Sequence, residues 1–271
     1  MKVHPAFAAF AVLIALASTA NAQQDEPQTF DFAGGQLTIT QTPDYERVLA
    51  FNGQELTREF DVFFNRIANV GGTEVAFFSV GPGGNACSPA ALMVWREEGK
   101  DISTAKFDEE CAAPSPALTD YEVFFVPYLM PGGSSNVKSW NPERGFRLHG
   151  TIAYAPEPNT DWSALTISDD TYPLDLFRNE AFYAAAKALL ADDLGEVAEG
   201  LGTAAPIETT PDGLVVGRGC VPHACGMADT LVIMEPSTRK LFMAQQGEPA
   251  RFWPDRAIWP AAVAAAIPGD F

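Results

Sequence analysis

Basic residues are scarce in this 271-residue chain: 17 Lys and Arg stand against 35 Asp and Glu, a formal net charge of −18. That deficit argues against a nucleic-acid partner, whose phosphates are held by Lys and Arg with release of counterions, and favours a cationic one. Histidine is scarcer still, with three residues, His4, His149 and His223. No nucleophile motif, internal repeat or dense Cys/His ligand set occurs, so the sequence offers no catalytic constellation and no metal or cofactor site. Aromatic residues are not lacking, and 19 Phe, 5 Trp and 6 Tyr give the chain enough surface worth burying to exclude intrinsic disorder. The length suits one large domain or two ordinary ones.

Long apolar runs are also missing, except at the amino terminus. There Lys2 precedes an almost wholly apolar stretch, 6–17, and Ala20-Asn21-Ala22 supplies the small residues that a signal peptidase reads. Residues 1–22 are expected to be a secretory signal peptide, since about a dozen apolar residues is short for a bilayer that needs about 20. Its removal takes away Lys2 and no acid, leaving 16 bases against 35 acids and a charge of −19. A soluble periplasmic location without stable membrane insertion follows as an expectation.

Cysteine is sparse too, with four residues, Cys87, Cys111, Cys220 and Cys225. In an oxidising compartment these read as two disulfides, for which three connectivities exist. Spacing favours Cys87 with Cys111 and Cys220 with Cys225, because each pair then lies in one composition block. Chain entropy assigns them about 3.5 and 2 kcal/mol for loops of about 25 and 6 residues. The short ring thus contributes less stability, and what it shapes explains it better.

Strand-like runs broken by Gly and Pro dominate the first half: 36–42, 47–51, 61–67, 73–80, 90–95, 121–128 and 145–154, with turn signals at Asn52-Gly53, Gly71-Gly72, 81–84 and Pro131-Gly132-Gly133. This pattern predicts an amino-terminal all-β domain, an antiparallel sandwich or barrel, over 23–168. A polar, Pro-containing stretch at 155–160 reads as a linker. Beyond it, helical spacing over 175–190, a short helix at 194–201, strands at 214–216, 230–234 and 240–244, and a closing helix at 260–267 predict an α+β domain over 169–271, its antiparallel sheet packed by helices. Oligomeric state has no signature here.

The most specific local feature is Gly219-Cys220-Val221-Pro222-His223-Ala224-Cys225-Gly226. Proline fixes φ immediately before His223, and so short a ring leaves backbone groups without ladder partners. The loop should project with the imidazole at its tip.

At these residues the chain resembles the Ivy-type inhibitors of vertebrate (C-type) lysozyme, whose protruding disulfide-closed loop has the form Cys-Lys-Pro-His-Asp-Cys. Cys220, Pro222, His223 and Cys225 match with spacing kept; Val221 stands where the family has Lys, and Ala224 where it has Asp. The likeness covers about 100 residues, 172–271, through the leading helix at 172–190, Pro206 and the strand-like Leu231 to Met234. It implies a periplasmic, non-enzymatic inhibitor with a helix-packed antiparallel sheet. His223 would enter the lysozyme cleft and hydrogen-bond the two catalytic carboxylates.

The departures at Val221 and Ala224 keep another muramidase, such as an endogenous lytic transglycosylase, as a second target. Two readings of other classes stand beside these: an exported hydrolase with its site in the β domain, and an envelope binding or scaffold module. His149, in a strand pattern, reads as structural. The glycine-rich 81–87 reads as a turn tethered by Cys87, since it lacks the Lys-Ser/Thr ending of a phosphate loop. The acidic pairs Glu97-Glu98, Glu109-Glu110, Asp169-Asp170 and Asp192-Asp193 read as solvated surface, and the aromatic run 121–128 as buried.

Overall fold

A computed structural model describes residues 26–84, 87–107, 113–269 and 271. The expected signal peptide, 1–22, lies outside the described residues, as do Cys111 and the pair Glu109-Glu110.

Twelve strands build the first half as three four-stranded antiparallel meanders. The first contains β1 (Gln28–Phe32), β2 (Gly35–Gln41), β3 (Arg47–Phe51) and β4 (Gln54–Glu59). The second contains β5 (Asp61–Val70), β6 (Thr73–Gly81), β7 (Ala90–Arg96) and β8 (Ile102–Phe107). The third contains β9 (Pro116–Leu118), β10 (Val123–Phe125), β11 (Ser134–Asn141) and β12 (Gly145–Ala153). Local turn chemistry fixes the registers. Gly71 and Gly72, at φ +61° and +87°, join Val70 to its partner Thr73, and Asn52-Gly53, both at positive φ, join Phe51 to Gln54. Two left-handed residues in a two-residue connection match the twist of the strands they join.

The second sheet is the middle layer. Ala76, Phe78, Val80, Leu92 and Val94 pack on one side against Phe32, Leu37, Ile39, Leu49 and Phe51 of the first sheet. Val75, Phe77, Ala91 and Met93 pack on the other against Val123, Phe125 and Trp140 of the third. Strands buried on both faces read as continuous apolar runs because alternate side chains enter different cores. That explains Val75 to Phe78 and Ala90 to Val94. β1, β4, β8, β9 and β11 were not expected; sequences such as QELTRE and ISTAKF are polar or half exposed. The run 121–128 yields only the three-residue β10. Burial holds for Val123 and Phe125 and fails for Tyr121 and Tyr128, which are 74% and 81% exposed because they lie beyond the strand ends.

The second half is an antiparallel sheet of β13 (Thr203–Ala204), β14 (Glu208–Thr209), β15 (Val215–Cys220), β16 (Asp229–Glu235), β17 (Lys240–Gln245) and β18 (Arg251–Trp253), with β15 at its branch point. On one face lie a 3-10 turn (Pro173–Arg178), α1 (Glu180–Leu190) and α2 (Leu194–Glu199). Phe182, Ala186 and Leu190, four residues apart along α1, enter a core with Val215, Val232 and Met243. On the other face α3 (Ala261–Ala265) sets Val263 beside Leu231, Ile233 and Phe242.

The continuous helix expected over 175–190 is two elements. Asn179 stays extended and caps α1, accepting from Phe182 N at 3.0 Å and donating to Asp161 O at 2.7 Å. The stretch 155–160 is tied to this helix start: Glu157 N donates to Arg178 O at 2.8 Å, and Thr160 Oγ1 accepts from Glu180 N at 2.7 Å. Trp162, Leu165 and Ile167 then pack against the carboxy-terminal core.

Candidate functional site

The site lies at the end of the β15–β16 hairpin, where Cys220 pairs with Asp229 and residues 221–228 form the loop. Cys220 and Cys225 are disulfide-bonded, with Cα atoms 5.0 Å apart. Inside the ring Ala224 N donates to Val221 O at 2.9 Å, and His223 has φ +66°. Proline second and a left-handed residue third is the pattern of a type II turn, a place usually taken by Gly or Asn. Its adoption by histidine puts a strained residue at the tip, where His is among the more tolerant types.

The loop projects. Pro222, His223, Cys225, Gly226 and Met227 are exposed, whereas Cys220 and Asp229 at its base are buried. Among the described residues no group hydrogen-bonds the His223 imidazole, so both ring nitrogens are open to a partner. Val221 and Ala224 are half-buried flanks of the turn. The return limb is ordered by Met227 N and Ala228 N donating to Ala224 O at 3.2 and 3.1 Å.

A charged pair sits beneath. Asp229 Oδ1 accepts from Gly226 N at 2.6 Å, and Oδ2 accepts from Arg218 Nε and Nη2 at 3.0 and 2.6 Å. Arg218 and Asp229 carry no motif and were not singled out from sequence. Alternation puts Arg218 on the face of Cys220, two residues away, but only the strand register brings Asp229 to it.

Glycines let other elements crowd the loop's base. A Cβ on Gly219 would fall 2.8 Å from Leu201 Cα and 3.0 Å from Thr203 O. A Cβ on Gly202 would lie 3.6 Å from Pro222 Cδ and 3.9 Å from Met130 Cε. Met130 belongs to the connection between β10 and β11, so the amino-terminal half reaches the edge of the loop. That connection also places Tyr128 beside Tyr154 in a crevice of about 380 Å³ with Leu174 and Arg178. Burial, then the neighbouring phenols of Tyr128 and Tyr183, push the Tyr154 hydroxyl up to about 12.

The other sequence candidates do not converge on the loop. His149 is exposed on β12, its ring edge-on to Phe124 at 4.8 Å. Cys87 is disulfide-bonded, and its expected partner, Cys111, lies outside the described residues. Glu97 pairs with Lys100 at 2.6 Å, and Asp193 with Arg251 at 3.3 Å. Among the described residues no three His, Cys, Asp or Glu side chains gather as metal ligands, and no helix is long and apolar enough to cross a membrane.

Comparison with known proteins divides the chain at the same place as its sheets. Residues 33–153 match the family described as the Y4bG N-terminal domain, ending where β12 ends. Residues 181–269 match the family described as inhibitor of vertebrate lysozyme (Ivy), which spans α1 to α3 and contains the loop. A curated relative, the uncharacterized protein y4bG of Sinorhizobium fredii (strain NBRC 101917 / NGR234), is 26% identical over 223 residues, covering 78% of this chain and 81% of that protein.

Proposed function

We propose that this protein is an exported periplasmic inhibitor of C-type lysozyme, without catalytic activity of its own, and that it acts by inserting His223 into the enzyme's cleft. One observation carries the reading: within the segment matching the Ivy family, a disulfide ring projects from the sheet with an exposed, unpartnered imidazole at its tip. A lysozyme cleft holds one protonated and one ionised carboxyl group. Neutral imidazole donates one hydrogen bond and accepts another, and imidazolium donates two, so either form suits two such neighbours. A preformed ring lowers the entropy lost on docking. The excess of acids over bases speeds encounter with a basic enzyme and makes association salt-dependent.

Val221 and Ala224 favour a second target. Where the family's motif carries Lys and Asp, this loop offers two small apolar side chains, and another muramidase, such as an endogenous lytic transglycosylase, is the alternative target.

The test is a cell-wall clearing assay with lysozyme, using the mature protein and His223→Ala. Inhibition by the wild type and a loss of about 30-fold or more in the variant, as for a central interface residue, is the expected result. No inhibition at micromolar wild-type protein would sink the lysozyme assignment. Repeating the assay with a lytic transglycosylase decides between the targets.

A further inference from the structure

The loop has two fasteners, and only one of them is covalent. The disulfide ties Cys225 back to Cys220, the last residue of β15. The Asp229 carboxylate ties the next residue, Gly226, to Arg218 on the same strand. Asp229 stands directly opposite Cys220 in the final pair of the β15–β16 ladder, so carboxylate and disulfide close the same end of the hairpin. Its side chain is only 9% exposed and takes three charge-assisted hydrogen bonds, each stronger than a neutral one. Its backbone is anchored elsewhere: Gln246 N donates to Asp229 O at 2.8 Å. The carboxylate is therefore set by the sheet and reaches out to the loop.

We propose that Asp229, with Arg218, is a positioning residue that holds the 221–228 loop in the shape that presents His223, independently of the Cys220–Cys225 disulfide. The clamp itself follows from these contacts, while its consequence for inhibition rests on the inhibitor reading above. Opening the disulfide removes one tie and leaves Gly226 fixed to the strand ends. Removing the carboxylate's charge leaves the disulfide but loosens the return limb, which is then held only by Met227 N and Ala228 N donating to Ala224 O.

The experiment uses the full chain in four forms: wild type, Asp229→Asn, Cys220→Ser with Cys225→Ser, and the triple variant. Amide hydrogen exchange over 221–228 is read in the free protein, and inhibition of C-type lysozyme in parallel. Asp229→Asn is expected to speed exchange at Gly226 about tenfold or more, as loss of a charge-assisted bond implies. The cysteine variant should keep its loop protection within about tenfold, and the triple variant should lose it. The loss of inhibition caused by Asp229→Asn should vanish in a His223→Ala background, because the carboxylate acts through the imidazole.

Unchanged exchange in Asp229→Asn, or a cysteine variant that exchanges as fast as the triple, overturns the clamp whether or not lysozyme is inhibited. A wild type that does not inhibit, with the expected exchange pattern, overturns the inhibitor reading and leaves the clamp standing. An inhibition loss that persists without His223 overturns the positioning role. Should Asp229→Asn fail to fold, Arg218→Gln loosens the same carboxylate while keeping the Gly226 bond, and a loop exchange rate equal to wild type in that variant counts against the clamp.

Discussion

Each half of the molecule contains a sheet covered on both faces, but the covers differ. In the amino-terminal half, β5–β8 lie between two other sheets, and most of the strand ends next to them turn back in a few residues. In the carboxy-terminal half, β13–β18 lie between helices, and the β15–β16 hairpin runs on into an eight-residue loop, 221–228. The contrast separates a stack of sheets from a sheet that ends in an open loop. Two stacked cores fill the first half, where the buried Glu122 carboxylate takes hydrogen bonds from Arg144 and Arg147, whereas the second ends one of its exposed hairpins in a strained histidine. Loops held on a scaffold of packed elements are the usual place for recognition, which is the role proposed for this one.

The comparison breaks most readily in the middle layer of the β stack. Phe78→Ala, at a fully buried position between the first two sheets, is expected to cost about 3–5 kcal/mol in urea unfolding. If the halves are as separable as their cores suggest, Phe78→Ala leaves lysozyme inhibition intact under native conditions. Parallel loss of inhibition would mean that Met130, at the loop's edge, transmits the damage.

A smaller effect sharpens the other half. A Cβ on Gly200 would lie 1.9 Å from Thr230 Oγ1, a buried hydroxyl without a hydrogen-bond partner. Gly200→Ala is thus an overpacking substitution, expected to destabilise by about 1–3 kcal/mol in thermal or urea unfolding. Thr230→Ala removes the obstructing hydroxyl but keeps a Cβ 2.9 Å from the new methyl, so the double variant should recover only part of the loss. A double variant worse than the sum of its parts would place the strain elsewhere.

The mildest test is made at the junction. Tyr154 has its hydroxyl raised from 10.0 to about 12. The native state therefore holds this proton more tightly than the unfolded state. The associated stability is fully present below pH 10 and is lost as pH rises through 12. Half-exposure keeps the contribution small. Tyr154→Phe should flatten this part of the alkaline decline in an unfolding series from pH 9 to 12, and an unchanged slope would assign the decline to other groups.

Much of the fold was legible because its signals are local. Asn52-Gly53 and Gly71-Gly72 mark their hairpins by residue type alone, since few other pairs accept two positive φ values in succession. Runs such as Thr73 to Val80 identify β6 by composition. Hidden from such reading were the polar strands β4, β8 and β11, whose pairing depends on neighbours rather than on their own pattern. The break at Asn179 was equally hidden, because its cap is completed by Asp161, 18 residues away. The loop stood out through Cys220, Pro222, His223 and Cys225, whose chemistry is set by sequence neighbours. Arg218 and Asp229 did not, because a charge pair has meaning only once two strands are paired.

By itself, then, the sequence determined the two-part organisation, the antiparallel character of both halves and the location of the histidine ring. Each follows from periodicity, turn residues and short-range ring closure, which act within a few residues. Tertiary structure alone decided that three sheets stack around a doubly buried middle layer, that the 155–160 stretch ties down α1, and that a buried carboxylate secures the loop. Those outcomes depend on which distant surfaces meet, and burial, register and charge pairing are set only when they do.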